Sequence, residues 1–220
     1  MIMVSSVLNL VKRHLGKAAL ASCLLFSTFA NAQTGNPIGG YTYLGTYTIE
    51  GQPHYYYLSN AGAFWPIANA NATALGGYLA TLTSQEENDK VTTWVVGKTG
   101  YAPYANSGDY QNINIPWIGY TDAAKEGTWV WANGENCSNF VNWDLETPEP
   151  NNFESGVTEN YGTLLTFNTT KLGKWNDWFN DWQNRYIVEF GPSPCIPRVG
   201  NQGCTLGYWK NHENKWQGYT

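Results

Sequence analysis

Charge is scarce in this chain: only 13% of its 220 residues are Asp, Glu, Lys or Arg, and 17 acids outnumber 12 bases. A basic surface that could track a phosphate backbone has little to be built from, which excludes nucleic acid as a partner. Histidine is nearly absent. His14, His54 and His212 lie in different segments with no nucleophile pattern beside them, so no catalytic triad is visible. Cysteine is sparse, with Cys23, Cys137, Cys195 and Cys204 the full set. A long apolar run is also missing. The stretch from Ala18 to Phe29 falls short of the ~20 residues that span a bilayer. Aromatic residues are abundant instead, with 11 Trp and 15 Tyr. Low charge with many aromatics reads as a compact extracellular fold, since disordered chains have the opposite composition.

The N-terminus has the layout of a secretion signal: a basic stretch from Lys12 to Lys17, the apolar run, then the small-residue cleavage site Ala30-Asn31-Ala32. A competing reading takes Leu20-Ala21-Ser22-Cys23 as a lipoprotein signal that would anchor the chain by a lipid on Cys23. The chain is exported in both. Without the three bases of residues 1–32, which contain no acid, the net charge falls from −5 to −8, a poor match for anionic lipid. Cleavage after Ala32 also removes Cys23. The remaining three cysteines allow one disulfide and one leftover thiol, and Cys195 with Cys204 is the expected pair.

Residues 33–40 read as a flexible lead-in and residues 41–58 as a first strand or hairpin. Apolar residues at helical spacing (Trp65, Ala68, Ala72, Leu75) predict a helix that Gly76-Gly77 stops. Ser84 followed three residues later by Glu87 is a capping box for a second helix through Val91, Trp94 and Val95. Short aromatic strands separated by Gly-, Asn- and Pro-rich loops follow, an α+β layout. Residues 143–162 carry little regular pattern, and a loop of that length in a compact domain is usually functional. After Phe190 comes a Gly/Pro linker. Cys204 to His212 then resembles the opening of a module of bacterial secreted proteins, too short here to bury a core and hence read as truncated.

Chemistry concentrates in and after the irregular stretch. Glu149, Asn151, Glu159, Asn176 and Asp177 offer only hard oxygen donors, three carboxylates and two amides, with no His or Cys among them. That donor set suits Ca²⁺, which takes six to eight oxygens, and disfavours zinc or copper. An amide can give its carbonyl to a metal and its NH₂ to a sugar hydroxyl, while a carboxylate can bind metal and accept a hydroxyl hydrogen. Trp175-Asn176-Asp177-Trp178 has a near copy in Phe179-Asn180-Asp181-Trp182. The first copy, which leaves room for a loop before the closing strand at Tyr186, is assigned to the metal. Asp122 and Glu126, four apart, read either as a solvated loop paired to Lys125 or as part of a second ion site. Glu149 and Glu159 could in principle serve glycoside hydrolysis, but a metal-bound carboxylate is a poor general acid, so no enzyme is expected.

Leu75-Gly-Gly-Tyr-Leu-Ala-Thr-Leu82, Trp117-Ile-Gly-Tyr120, Glu126-Gly-Thr-Trp-Val-Trp131, Asn142-Trp143, Glu149-Pro-Asn151, Trp175-Asn-Asp177 and Arg185-Tyr-Ile-Val-Glu-Phe190 occur in this order. The set resembles the C-type lectin-like domain family across residues 41–190, as a secreted bacterial member. The resemblance implies a C-type lectin-like fold of two helices, short antiparallel strands and a long calcium-binding loop. It also implies a cis bond before Pro150. It gives the ion Glu149, Asn151, Glu159, Asn176 and Asp177, with Glu149, Asn151, Glu159 and Asn176 also meeting carbohydrate, and a second ion Asp122, Glu126 and Asn152 with Glu159. Glu-Pro-Asn implies mannose-type ligands. Ala72, Tyr161 and Val188 stand where relatives carry bridging cysteines. The expected partner is a carbohydrate or glycoprotein, engaged multivalently through oligomers or a longer parent chain. The alternatives are a protein-binding or adhesion module with structural calcium, and an ice-binding surface.

Overall fold

The computed structural model describes residues 35–102, 115–152 and 158–192. The expected signal segment, most of the C-terminal tail, and Cys23, Cys195 and Cys204 lie outside the described residues.

The chain enters through a hairpin, β1 (Tyr41–Ile49) and β2 (Gln52–Ser59). Its two-residue turn, Glu50-Gly51, has φ of 48° and 76°, the left-handed pair that matches the twist of a hairpin. α1 (Trp65–Ala74) follows, with Pro66 in its first turn, where a missing N–H costs nothing. Gly76, at φ 81°, ends it as expected, and Gly77 N–H returns to the Ala72 carbonyl. After the short β3 (Tyr78–Leu79) comes α2 (Gln85–Thr99). Ser84 caps α2 by accepting the Glu87 N–H at 3.2 Å. The reciprocal half of the capping box is altered. The Glu87 carboxylate reaches back to the N–H and hydroxyl of Thr83, at 2.8 and 2.9 Å, and accepts the Tyr56 hydroxyl.

The remaining strands are β4 (Trp117–Thr121), β5 (Val130–Trp131), β6 (Tyr161–Leu164), β7 (Trp175–Trp178) and β8 (Ile187–Phe190). They complete two four-stranded antiparallel sheets, ordered β1-β2-β8-β3 and β5-β4-β6-β7. The last strand pairs with the first hairpin, Tyr55 opposite Phe190 and Leu58 opposite Ile187. Alternate residues of β2 and β8 therefore serve two cores. Tyr56, Leu58 and Ile187 join Val91 and Val95 of α2 with Trp131, Leu164 and Trp175. Tyr57, Val188 and Phe190 face Trp65, Ala68 and Ala72 of α1. Ala72 and Val188, both fully buried and both at positions where the resemblance implies bridging cysteines, thus share one apolar cluster.

One buried polar cluster of this interior, around Glu189, was not read from the sequence. His54 Nδ1 lies 2.6 Å from the Glu189 carboxylate, with both residues about 1% exposed. Tyr78 and the Thr81 N–H also donate to Glu189. The cysteine expectation needs correcting as well: Cys137, read as the leftover thiol, is disulfide-bonded, and its partner lies outside the described residues. Among the described residues, no helix is long and apolar enough to cross a membrane.

Candidate functional site

β7 and the chain preceding β6 build the site. In β7 Trp175 and Asp177 are buried while Asn176 and Trp178 are half-buried, the two-residue alternation of a strand. Trp175 fixes the strand in depth, since its indole N–H donates to Asn88 Oδ1 of α2 at 2.7 Å. The Asp144 N–H bonds the Trp175 carbonyl, which ties the start of the long loop to the same strand. Asp177, 1% exposed, then meets that loop further along. Its two carboxylate oxygens each accept the Asn151 N–H at 3.1 Å, and one also accepts the Asn152 N–H at 3.2 Å.

The bond from Glu149 to Pro150 is cis, as the resemblance implies. Glu149 Oε2 is buried, with no hydrogen-bond partner among the described residues. Burial, a hydrogen bond to Asp177 and the Asp177 charge push the Glu149 carboxyl up to about 8, and the charge of Glu159 adds to them. Glu159 is 5% exposed, and its N–H donates to Asn152 Oδ1 at 2.7 Å. Of the five expected ligands, Asp177 and Glu159 thus both act on Glu149. Asn151 is joined to them through its backbone. The Asn176 amide is turned instead to the neighbouring Asp177 carbonyl.

The residues expected to hold a second ion adjoin this cluster. Asp122, 1% exposed, accepts the Gly127 N–H on Oδ2, while its Oδ1 is buried without a partner among the described residues. Burial raises its pKa, and the charges of Glu126 and Asp177 push the same way. Glu126 accepts the Asn152 amide at 2.7 Å. Asn152 therefore links Glu126 to Glu159, with a positive φ of 49°. Lys125 takes no part in the lysine–carboxylate ion pairs seen among the described residues, Lys90 with Glu86 and Lys171 with Asp144.

The second copy of the Asn-Asp motif sits elsewhere. Asn180 Oδ1 accepts the Trp65 N–H at the start of α1, and Asp181 is exposed. Trp175 is core, whereas Trp178 is half-buried and packs against Phe179 and Trp182. Asp144, Thr147 and Lys171, which knit the root of the loop, went unremarked in the sequence because no spacing rule marks them.

The donor chemistry fits a hard divalent cation. Every candidate ligand is an oxygen donor, and two buried carboxylate oxygens, on Glu149 and Asp122, lack a protein partner among the described residues. Among the described residues, no three acidic, histidine or cysteine side chains come together closely enough to hold an ion as they stand. Amide and backbone oxygens would have to contribute.

A family model described as "Lectin C-type domain" matches residues 63–190. A perlucin-like protein of Mytilus galloprovincialis is 28% identical over 56% of the chain and 66% of its own length. Ladderlectin of Oncorhynchus mykiss is 31% identical over 51% of the chain and 50% of its own length. The chain thus spans between half and about two thirds of these relatives. The crystal structure of the C-type lectin CEL-I from Cucumaria echinata matches 71% of this chain and 98% of its own, with a TM-score of 0.54 at 20% identity, a likeness of fold.

Proposed function

The chain belongs to the C-type lectin domain family, and from that premise we propose that residues 41–190 form a secreted, Ca²⁺-dependent carbohydrate-binding module for mannose-type sugars. The family is generally a non-enzymatic binding module. Glu149, Asn151, Glu159, Asn176 and Asp177 would hold the ion, with Asp122, Glu126, Asn152 and Glu159 as a second set. A bound Ca²⁺ supplies open coordination positions for a pair of sugar hydroxyls. The protein's part is orientation. Carboxylates of Glu149 and Glu159 accept hydroxyl hydrogens, and the amides of Asn151 and Asn176 donate to hydroxyl oxygens. Fixed donors and acceptors of this kind select one diol geometry, because a mispaired buried hydroxyl costs about 1–3 kcal/mol.

One observation carries the proposal. Glu149 Oε2, buried and without a partner among the described residues, belongs to a carboxyl group crowded by Asp177 and Glu159, a concentration of negative charge that a cation would relieve. Calorimetry tests it: calcium titrated into the protein, then sugar titrated into the calcium-loaded sample. Heat from mannose that vanishes in chelator supports the reading, and sugar binding indifferent to chelator would overturn it.

A second reading rests on the Asn176 amide, whose NH₂ bonds the Asp177 carbonyl. In that reading the fold binds protein and the ion only orders the loop. A glycan array with and without chelator separates the two.

A further inference from the structure

The loop that carries Glu149 is rooted by a cation the protein supplies itself. Asp144, 2% exposed, begins this loop one residue after Trp143. Its Oδ2 accepts Lys171 Nζ and the Thr147 hydroxyl, each at 2.6 Å, and its Oδ1 accepts the Glu146 N–H at 3.0 Å. Lys171 Nζ also donates to the Thr147 hydroxyl at 2.9 Å. One residue before Lys171, the Thr170 hydroxyl donates to Glu146 at 3.0 Å. Burial alone would raise the Asp144 carboxyl, but Lys171, Thr147 and the Glu146 N–H outweigh it and hold the pKa low. The pair is therefore charged, hydrogen-bonded and mostly out of water, with Lys171 13% and Asp144 3% exposed at the side chain.

The backbone of Asp144 connects this cluster to the site at both ends. Its N–H bonds the Trp175 carbonyl, next to Asn176 and Asp177. Its carbonyl accepts the Glu149 N–H at 2.8 Å, which closes the turn from residue 144 to residue 149. The Lys171–Asp144–Thr147 cluster thus fixes where the chain delivers Glu149 relative to Asp177. Its ammonium sits in the turn between β6 and β7, so the two segments bearing the candidate ligands are clamped by one ion pair.

We propose that Lys171 is a positioning residue for the site: through Asp144 and Thr147 it holds Glu149 against Asp177 before any ligand arrives. The consequence for calcium rests on the proposed function; the consequence for the ligand-free loop does not. Supporting groups of this kind typically change metal affinity by 10- to 100-fold when removed, because a preformed site need not be ordered at the moment of binding.

The test compares the wild-type chain with Lys171→Met and Lys171→Arg. Hydrogen exchange in chelator should show the Glu149 amide losing protection in Lys171→Met, while amides of Ile187 and Val188 in the core strand stay protected. Calcium titration should show affinity falling about tenfold or more in Lys171→Met, with Lys171→Arg recovering most of it. Thr147→Val, which keeps the ion pair, should move both readouts the same way by less and covers the case of a Lys171→Met chain that does not fold. An unchanged Glu149 amide in Lys171→Met or, failing that, in Thr147→Val would overturn the positioning role. A wild-type chain that binds no calcium would count against the proposed function, and the exchange measurement would still decide the clamp.

Discussion

Asp177, on β7, holds the backbone of Asn151 in the long loop through both of its carboxylate oxygens, at 3.1 Å each. The same acid stands beside Glu149, whose carboxyl it helps to raise. One side chain therefore does two jobs, ordering the loop and crowding negative charge into it. A cation that binds only the folded chain should relieve the second effect and stabilise the protein. At a hundredfold excess over Kd the gain is about 2.7 kcal/mol. Calcium is expected to raise Tm and EDTA to reverse the rise, as a thermal melt will show. Asp177→Ala should abolish the shift and Asp181→Ala should keep it. Equal melts in calcium and EDTA would sink the calcium assignment.

Specificity follows from which position carries the carboxylate. Glu149→Gln combined with Asn151→Asp keeps the charge available to an ion but exchanges hydrogen-bond donors and acceptors facing a sugar. The native chain is expected to prefer mannose-type diols over galactose. The double variant should weaken or invert that order by about tenfold, the equivalent of ~1.4 kcal/mol, with calcium still bound. Competition binding with the two sugars measures it. A native chain that takes both equally would end the mannose-type assignment.

Glu87 gives a pH dependence separate from the loop. It is fully buried, and burial followed by the charge of Glu189 pushes its carboxyl up to about 7 despite the Tyr56 and Thr83 bonds. The folded state therefore holds this proton more tightly than the unfolded chain, whose carboxyl titrates near 4.5. Its contribution to stability is fully present below pH ~4.5 and is lost as pH rises through about 7. Each pH unit of displacement is worth about 1.4 kcal/mol, so the swing is on the order of 3 kcal/mol. Urea unfolding in EDTA across that range should show wild-type stability falling relative to Glu87→Gln. A constant difference between the two would refute the assignment.

Gly119 tests how the two sheets meet. Its N–H bonds the Ala80 carbonyl, and a Cβ there would lie 2.6 Å from the Leu79 backbone oxygen. A backbone atom cannot be moved aside cheaply. Gly119→Ala should cost about 1–3 kcal/mol in chemical unfolding. A loss below ~0.5 kcal/mol would mean the sheets can shift apart at little cost.

Local order was legible because it is periodic. Alternation marked the hairpin, helical spacing with terminal glycines marked α1, and Ser84 with Glu87 marked the start of α2. The oxygen-only donor set between Glu149 and Asp177 could also be read directly from residue types. What the sequence could not show depends on contacts between residues far apart in the chain. Two nearly identical tetrapeptides, 175–178 and 179–182, are told apart by their position, which favours the first copy for the metal but does not show what either one touches. Pairing of β7 with β6 aims Asp177 at the loop, while Asn180 is consumed by the Trp65 N–H. His54 and Glu189, 135 positions apart, meet only because β2 and β8 pair, and the bonding of Cys137 likewise has no local sign. Lys171 reads as a surface lysine until the turn before β7 sets it on Asp144, 27 positions away. Composition and period determined the elements and the available chemistry. Tertiary packing decided which of several identical groups were buried together, because desolvation and charge pairing depend on distance in space and not along the chain.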